Sequence, residues 1–418
     1  MKSRIAFVAA ASALTLLASG CGGTSSGSED SNVLEFQTGQ TVDSALMTTF
    51  TELTDQFKEE HPDIEVDLVP TTQSYEADMK VRLASGNVPD IWYTHGWSLL
   101  RYSEFLMPLD EEPWAENFNP ALDSAMRNDD GQFFALPVDT DIAGVLYNGE
   151  VLEAAGVDPN DLDTWTDFTD AAKAVKANGV TPIYVSGKDN GPAGNVADWI
   201  APGAFSDQEL EKFSNGEFVE DGYSQILELV AQWREADYFN PDFASATQDD
   251  ISRALSQGDA AFAFGQNDYA QNGLQYNPDA DLGFVPVPNF EGGKKYLIGG
   301  EMNAYGIAKE TNNPEAAKAY LAFLAQPENL SKLAAAAGSA PGLTNAEADL
   351  GVFQDSYETF VENDDLELKP YFDRVYLPNG MWNTMVTTTG AVITGQSDVQ
   401  TAVNQMKTDF NSLYGQNK

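Results

Sequence analysis

Phe57-Lys58-Glu59-Glu60-His61-Pro62-Asp63-Ile64-Glu65-Val66-Asp67-Leu68 holds the end of a helix, its stop and the strand that follows. Upstream, Leu46, Phe50, Leu53 and Phe57 recur at steps of three and four, the spacing that gathers apolar side chains on one buried helix face. Proline lacks the N–H a helix needs and pushes the residue before it out of the helical region, so His61-Pro62-Asp63 ends the run. Ile64 to Leu68 then alternates apolar with acidic, as a strand with one buried face does. With the apolar segment Val33 to Phe36 ahead of it, the passage reads strand-helix-strand.

The order returns at once. A helix from Tyr75 to Ala84 ends near Ser85-Gly86-Asn87, and Val88-Pro89-Asp90-Ile91-Trp92-Tyr93 starts the next strand. Further helices are expected around 165–178, 222–237, 248–257, 313–325, 328–337 and 397–414. Short strands are expected at Val145 to Tyr147, Pro182 to Val185, Ala260 to Phe264 and Ala304 to Ala308. Strands alternating with helices imply mixed α/β sheets with ligands at strand ends. No internal repeat is present. A chain of 418 residues exceeds what one core usually supports, so two domains are expected, and 42% hydrophobic residues supply both cores.

Lys2 and Arg4, the apolar stretch Ile5 to Leu17 and a small-residue region form an export signal over residues 1–20, too short to span a membrane. Cys21 is the sole cysteine, which excludes a disulfide framework. In Leu16-Leu17-Ala18-Ser19-Gly20-Cys21 it resembles the lipobox of bacterial lipoproteins, with Ala18 where that family more often has Leu. The resemblance implies a diacylated Cys21 holding the mature protein to the outer face of the cell membrane, periplasmic if there is an outer membrane. The alternative is a cut near by that leaves a free thiol. Residues 22–32 are small and polar, a flexible tether. The formal charge of -43 makes nucleic acid and anionic lipid poor partners. Because the acids are spread along the chain, surface solvation explains them better than attraction of a cationic ligand.

Several passages recur in a familiar order: Phe57 to Val66, Gly86-Asn87-Val88-Pro89-Asp90-Ile91, Gly131-Gln132-Phe133-Phe134-Ala135-Leu136-Pro137, Leu146-Tyr147-Asn148 and Ala155-Gly156-Val157. Thr164-Trp165-Thr166-Asp167-Phe168, Gly258 to Gly265, Gly299-Gly300 through Lys309, and Asn313-Pro314-Glu315-Ala316-Ala317 continue it. Structurally, Tyr147-Asn148 and Trp165 read as core and turn, Gly131 as a turn, and Asn313-Pro314 as a helix start. In its order the chain resembles the extracellular solute-binding proteins of ABC importers, the carbohydrate-binding family typified by maltose-binding protein. That resemblance implies a two-lobed α/β fold, each lobe a mixed sheet flanked by helices, with a multi-strand hinge. The chain would cross near Leu136 to Thr140, Ile298 to Gly300 and Ala340 to Thr344. Lobe 1 would be 33–137 plus 301–342, and lobe 2 138–299 plus 343–418. It also implies a monomer with an interlobe cleft, a membrane permease as partner and no cofactor.

A sugar offers hydroxyls in the ring plane and weakly apolar faces, so its site needs aromatic platforms beside carboxylates and amides. Matching the family's pattern points to Thr94, His95 and Trp97 after the strand at Trp92, with a structural histidine as the other reading of His95. The family often has an acid where Asp139 and Asp141 stand, and Asp141 fits better. The first loop offers Gln37 and Thr38; Tyr75 would stack on a ring or staple its helix. On the second lobe, Asn195 and Trp199 follow a Gly-Pro passage, Trp199 being a platform or a buried anchor. Gln266, Asn267 and Asp268 replace the aromatic that many relatives carry after their Gly. Gly300 and Glu301 flank a crossing, and Trp382 falls near a family stacking position.

Cleft acids also describe glycoside hydrolases, which need two carboxylates at a set separation. A family without catalysis argues against that reading. No Gly-x-Ser-x-Gly elbow, phosphate loop or metal-spaced His/Asp/Glu cluster occurs. The same fold with a non-sugar ligand such as a polyamine is the chief alternative, since acids and Trp platforms suit a cation too.

Overall fold

The computed structural model describes residues 33–71, 75–94, 98–99, 101–189, 191–290, 293–362 and 366–414. Cys21, His95 and Trp97 lie outside them. Among the described residues no helix is long and apolar enough to cross a membrane.

The opening unit forms as the sequence dictates. β1 (Val33–Gln37) leads to α1 (Ala45–Glu60), β2 (Glu65–Val69), α2 (Tyr75–Ser85) and β3 (Ile91–Tyr93). Ser44 caps α1 by accepting a hydrogen bond from Met47 N–H at 3.1 Å, and the helix buries Leu46, Met47, Phe50, Leu53 and Phe57. At the other end His61 N–H bonds the Phe57 carbonyl, and its ring stacks on Phe57 at 4.5 Å. β1 lies between β2 and β3, parallel to both. β11 (Ala304–Ile307) and β4 (Leu136–Pro137) complete the sheet in the order β2-β1-β3-β11-β4, with β11 antiparallel to β3. β3 begins later than the alternation suggests. Pro89 has no N–H to pair, and Asp90 turns its carboxylate to Glu35 N–H and the Thr311 hydroxyl.

A second sheet runs β7 (Thr181–Ile183), β8 (Ala260–Phe264), β6 (Val145–Asn148) and β9 (Leu282–Val285). Each of these two sheets has its own core. One cluster of buried apolar side chains draws on Leu34 to Val138 and Ala304 to Leu343; the other runs from Ile142 to Ile298 and from Leu350 to Phe410. Between Val138 and Ile142, between Ile298 and Ala304, and between Leu343 and Leu350 the chain passes from one core to the other.

Those passages build the third sheet, β12 (Ala340–Pro341), β5 (Asp139–Ala143), β10 (Tyr296–Gly300) and β13 (Glu367–Pro370). Pairing satisfies the backbone groups that two packed lobes would otherwise bury unbonded. Asn313 departs from expectation: it precedes the helix Pro314–Leu324 without a side-chain cap, and its amide donates to the Val33 carbonyl at 3.4 Å.

Candidate functional site

Acidic side chains gather on the crossing strands. The antiparallel register of β5 and β10 sets Gly300 opposite Asp141, which places Glu301 beside the β5 acids. Asp139 is fully engaged: Oδ1 accepts from Met302 N–H (3.1 Å) and Asn303 N–H (2.8 Å), and Oδ2 from the Asn303 amide (2.6 Å). Asp141 accepts from the Tyr371 hydroxyl and, at 3.5 Å, from Ser339 Oγ. Glu301 has no exposed surface, and neither carboxylate oxygen has a hydrogen-bond partner. Its carbonyl accepts from Arg374 Nη1 at 2.7 Å, and that guanidinium lies 3.8 Å from the centre of the Tyr371 ring. Asn267 donates to the Gly338 carbonyl at 3.2 Å; its Oδ1 and Asp268 Oδ1 are buried without partners.

Burial dominates the electrostatics. It raises the Asp139 carboxyl above its ordinary value although the Asn303 and Met302 bonds oppose the shift. Burial pushes Asp141 up to about 7, with the Tyr371 hydroxyl opposing and Asp139 adding to it. Asp268, half-buried as a residue but with Oδ1 out of reach of solvent, rises to about 8 through desolvation and then the nearby Asp141 and Asp139 charges. Glu301 rises to about 7 through burial, with Arg374 opposing. Such groups exchange protons near neutrality and both donate and accept hydrogen bonds there.

A cavity of about 370 Å³ lies beside this group, and Arg374 is part of its wall. Arg101, from the side of the first core, lines it together with Asp373, Tyr376, Asn379 and Trp382 from the other. Arg101 Nε donates to Asn379 Oδ1 across the gap at 3.2 Å. Gly380 stands at the N-cap of the helix Met381–Ile393 with φ 95°, a left-handed conformation that favours glycine and sets the angle at which Trp382 enters. Gly194 lies close behind: a Cβ there would sit 3.0 Å from Trp382 Cη2. A half-buried indole, an amide and two guanidinium groups suit a ligand with flat apolar faces and many hydroxyls.

The remaining candidates divide by what their side chains already do. The Gln37 amide donates to Val69 O (3.2 Å), Thr38 to Val69 O (3.2 Å) and Thr94 to Ala304 O (3.1 Å); all three are buried and serve the first sheet. Tyr75 donates its hydroxyl to the Tyr93 carbonyl and meets that ring edge-on, so it staples α2. Asn195 donates to the Tyr269 hydroxyl at 3.2 Å. Trp199 is a correction to the platform reading: it is wholly buried in the second core, its Nε1 donates to Gly144 O at 2.9 Å, and it offers no face to a ligand. Gly300 packs under Tyr371, where a Cβ would come within 3.0 Å of the ring. Gln266 is half-buried.

Sequence reasoning missed Arg101, Asn379, Tyr371 and Arg374. Arg374 carried a usable signal: basic residues number 22 against 65 acids, and this one sits in the aromatic run Tyr371-Phe372-Asp373-Arg374. Arg101 and Asn379 are isolated turn residues with no pattern to single them out.

Residues 43–330 match the family described as bacterial extracellular solute-binding protein. The chain is 30% identical over 390 residues to the melibiose/raffinose/stachyose-binding protein MelE of Bacillus subtilis (strain 168), covering 91% of this chain and 90% of that protein. A sugar transporter from Bacillus licheniformis, solved in complex with stachyose, superposes with a TM-score of 0.82 at 28% identity over 91% of this chain and 100% of that one. The putative binding protein MsmE from Bacillus subtilis, solved in an open conformation, gives 0.79 at 28% identity over 92% and 98%. The two-lobed fold of these solved structures extends over more than nine-tenths of this chain, and the chain belongs to the bacterial extracellular solute-binding proteins that serve ABC importers.

Proposed function

We propose that this protein captures a neutral oligosaccharide of the raffinose and stachyose kind between its lobes and delivers it to a membrane permease. The observation that carries the reading is the 370 Å³ cavity walled by Arg101 on one side and by Asn379 and Trp382 on the other. Its volume falls within the range of about 300–1,000 Å³ usual for small-molecule sites. The names of MelE and of the stachyose complex support the ligand class. In this reading Trp382 faces a sugar ring, Arg101 and Asn379 bond its hydroxyls, and Asp141 and Glu301 stand behind the Arg374 wall. Lobe 1 comprises 33–137 plus 301–342 and lobe 2 138–299 plus 343–418, a division the two cores support except at Val138 and Leu343, which pack in the first core. Cys21, diacylated, anchors a monomer outside the cell membrane through the 22–32 tether.

Calorimetry against melibiose, raffinose and stachyose tests the proposal, with one-to-one binding and no turnover expected. Release of free monosaccharide during prolonged incubation would overturn the binder reading in favour of a hydrolase. The partnerless Glu301 oxygens favour a polyamine as the second reading. Two guanidinium groups on the cavity wall oppose it, because a cation would be held against like charge. Spermidine binding without any sugar response would reverse that order.

A further inference from the structure

The hinge buries more acid than it neutralises. Asp139, Asp141, Asp268 and Glu301 act on one another, and Asp198 and Asp373 stand beside the same Arg374 guanidinium. Arg374 opposes the shifts of Asp139, Asp141 and Glu301; the other facing polar groups are the hydroxyls of Tyr371 and Ser339 on Asp141 and the backbone N–H groups on Asp139 and Asp268. Asp198 accepts from Asp373 N–H at 2.9 Å and is itself raised by burial. Among the described residues no His/Cys/Asp/Glu group is arranged to hold a metal ion. An ionised carboxylate with both oxygens buried and unbonded, as at Glu301, is far costlier than its protonated form.

What buries these groups comes from both sides of the hinge. Asn303 and Met302 cover Asp139 from the first core's side, while Tyr371 and Arg374 cover Asp141 and Glu301 from the second. Ser339, from the first core's side, also donates to Asp141 at 3.5 Å.

We propose that the hinge is a proton-binding site: bringing the lobes together around Asp141, Asp268 and Glu301 takes up protons, so that closure and ligand capture are coupled to acidity. The inference rests on capture by lobe closure. In the closed form the acids hold their protons to near or above neutrality; in the open form they ionise as ordinary carboxyls do. Acid therefore favours closure, and the advantage fades as pH rises through 7 to 8. A receptor working this way grips in acidic surroundings and lets go in alkaline ones.

Two measurements test the proposal, one free of any ligand. Small-angle scattering of the ligand-free protein from pH 5 to 9 should show expansion with rising pH, with a midpoint near neutrality. A Glu301→Gln, Asp141→Asn double variant should flatten that change. Raffinose calorimetry in phosphate and in Tris, whose ionisation enthalpies differ, should show protons taken up. Affinity should fall about tenfold between pH 6 and 8 for each carboxyl coupled to closure. Dimensions independent of pH in the wild type would overturn the proposal, as would raffinose binding with no proton uptake. If raffinose fails to bind at any pH, the ligand assignment falls and the scattering series still decides the proton site. The wild-type series needs no variant, so a double variant that does not fold leaves it decisive.

Discussion

Trp382→Ala separates the cavity reading from a purely structural one. The indole is half-buried, seated at the start of its helix and backed by the α-carbon of Gly194, so its free face borders the cavity. A pyranose laid on that face would hide on the order of 60 Å² of apolar surface, about 1.5 kcal/mol at roughly 25 cal/mol per Å². That corresponds to about a tenfold weaker Kd for raffinose. Removing the ring also opens a gap against Val386 and Gly194, and because the site is only partly enclosed the stability loss should stay near 1–2 kcal/mol. Calorimetric titration measures the first effect and thermal unfolding by circular dichroism the second. Trp382→Phe keeps a flat face and should recover most of the affinity. A folded Trp382→Ala protein that binds within twofold of wild type would refute the platform, and with it the placement of the sugar in this cavity.

Arg101→Ala removes the bond to Asn379 across the gap; stopped-flow release of raffinose should quicken about fivefold, about 1 kcal/mol for one hydrogen bond. Asp139→Asn replaces an acceptor of three hydrogen bonds with a group that sets one amide against the Asn303 amide; unfolding in urea should show a loss of about 1.5–3 kcal/mol. The melting temperature should fall as pH rises from 5 to 8.5. Asp141, Glu301 and Asp268 have folded values raised to about 7, 7 and 8, so their contribution is complete below the unfolded carboxyl range and is lost as pH passes those values. A Tm that is flat or rises over that window would contradict the burial described here. Cys21→Ser should release the protein from membranes into the medium with its raffinose affinity unchanged, as cell fractionation and calorimetry would show.

The first sheet was legible because its signals were local. A helix with apolar residues at steps of three and four, a proline stop and an alternating strand each specify one element within a few residues, and α1 and β2 formed accordingly. The hinge crossings came from the family resemblance and not from any local pattern. Asp139-Thr140-Asp141 reads as a polar connection, yet all of β5 is buried, so its polarity reflects side-chain partners far along the chain: Asn303, Pro341 and Tyr371. Trp199 shows the opposite limit: a tryptophan after a Gly-Pro turn looks the same from sequence whether it faces a cleft or the core, and only the Gly144 carbonyl decides. Trp382 was reached through the family's stacking position, while its Arg101 neighbour across the gap depends on a contact between residues 278 apart.

Carboxylates at the crossings answer a packing problem before they answer a binding one. Where three chain segments pass between two cores, apolar side chains would fuse the cores into one and leave no hinge, while unbonded backbone would be too costly to bury. Asp139 meets both demands: it sits on a paired strand and takes up two backbone N–H groups where the chain leaves β10 for β11. Asp141 on β5 and Glu301 just past the end of β10 inherit that burial without as many donors, and Glu301 receives none. The residue that fixes the strand exit is thus the best satisfied, and Glu301 is the least. It follows that Asp139→Asn should act on folding more than on the pH dependence of binding, and Glu301→Gln the reverse. If both variants shifted stability alone, the hinge acids would be structural throughout.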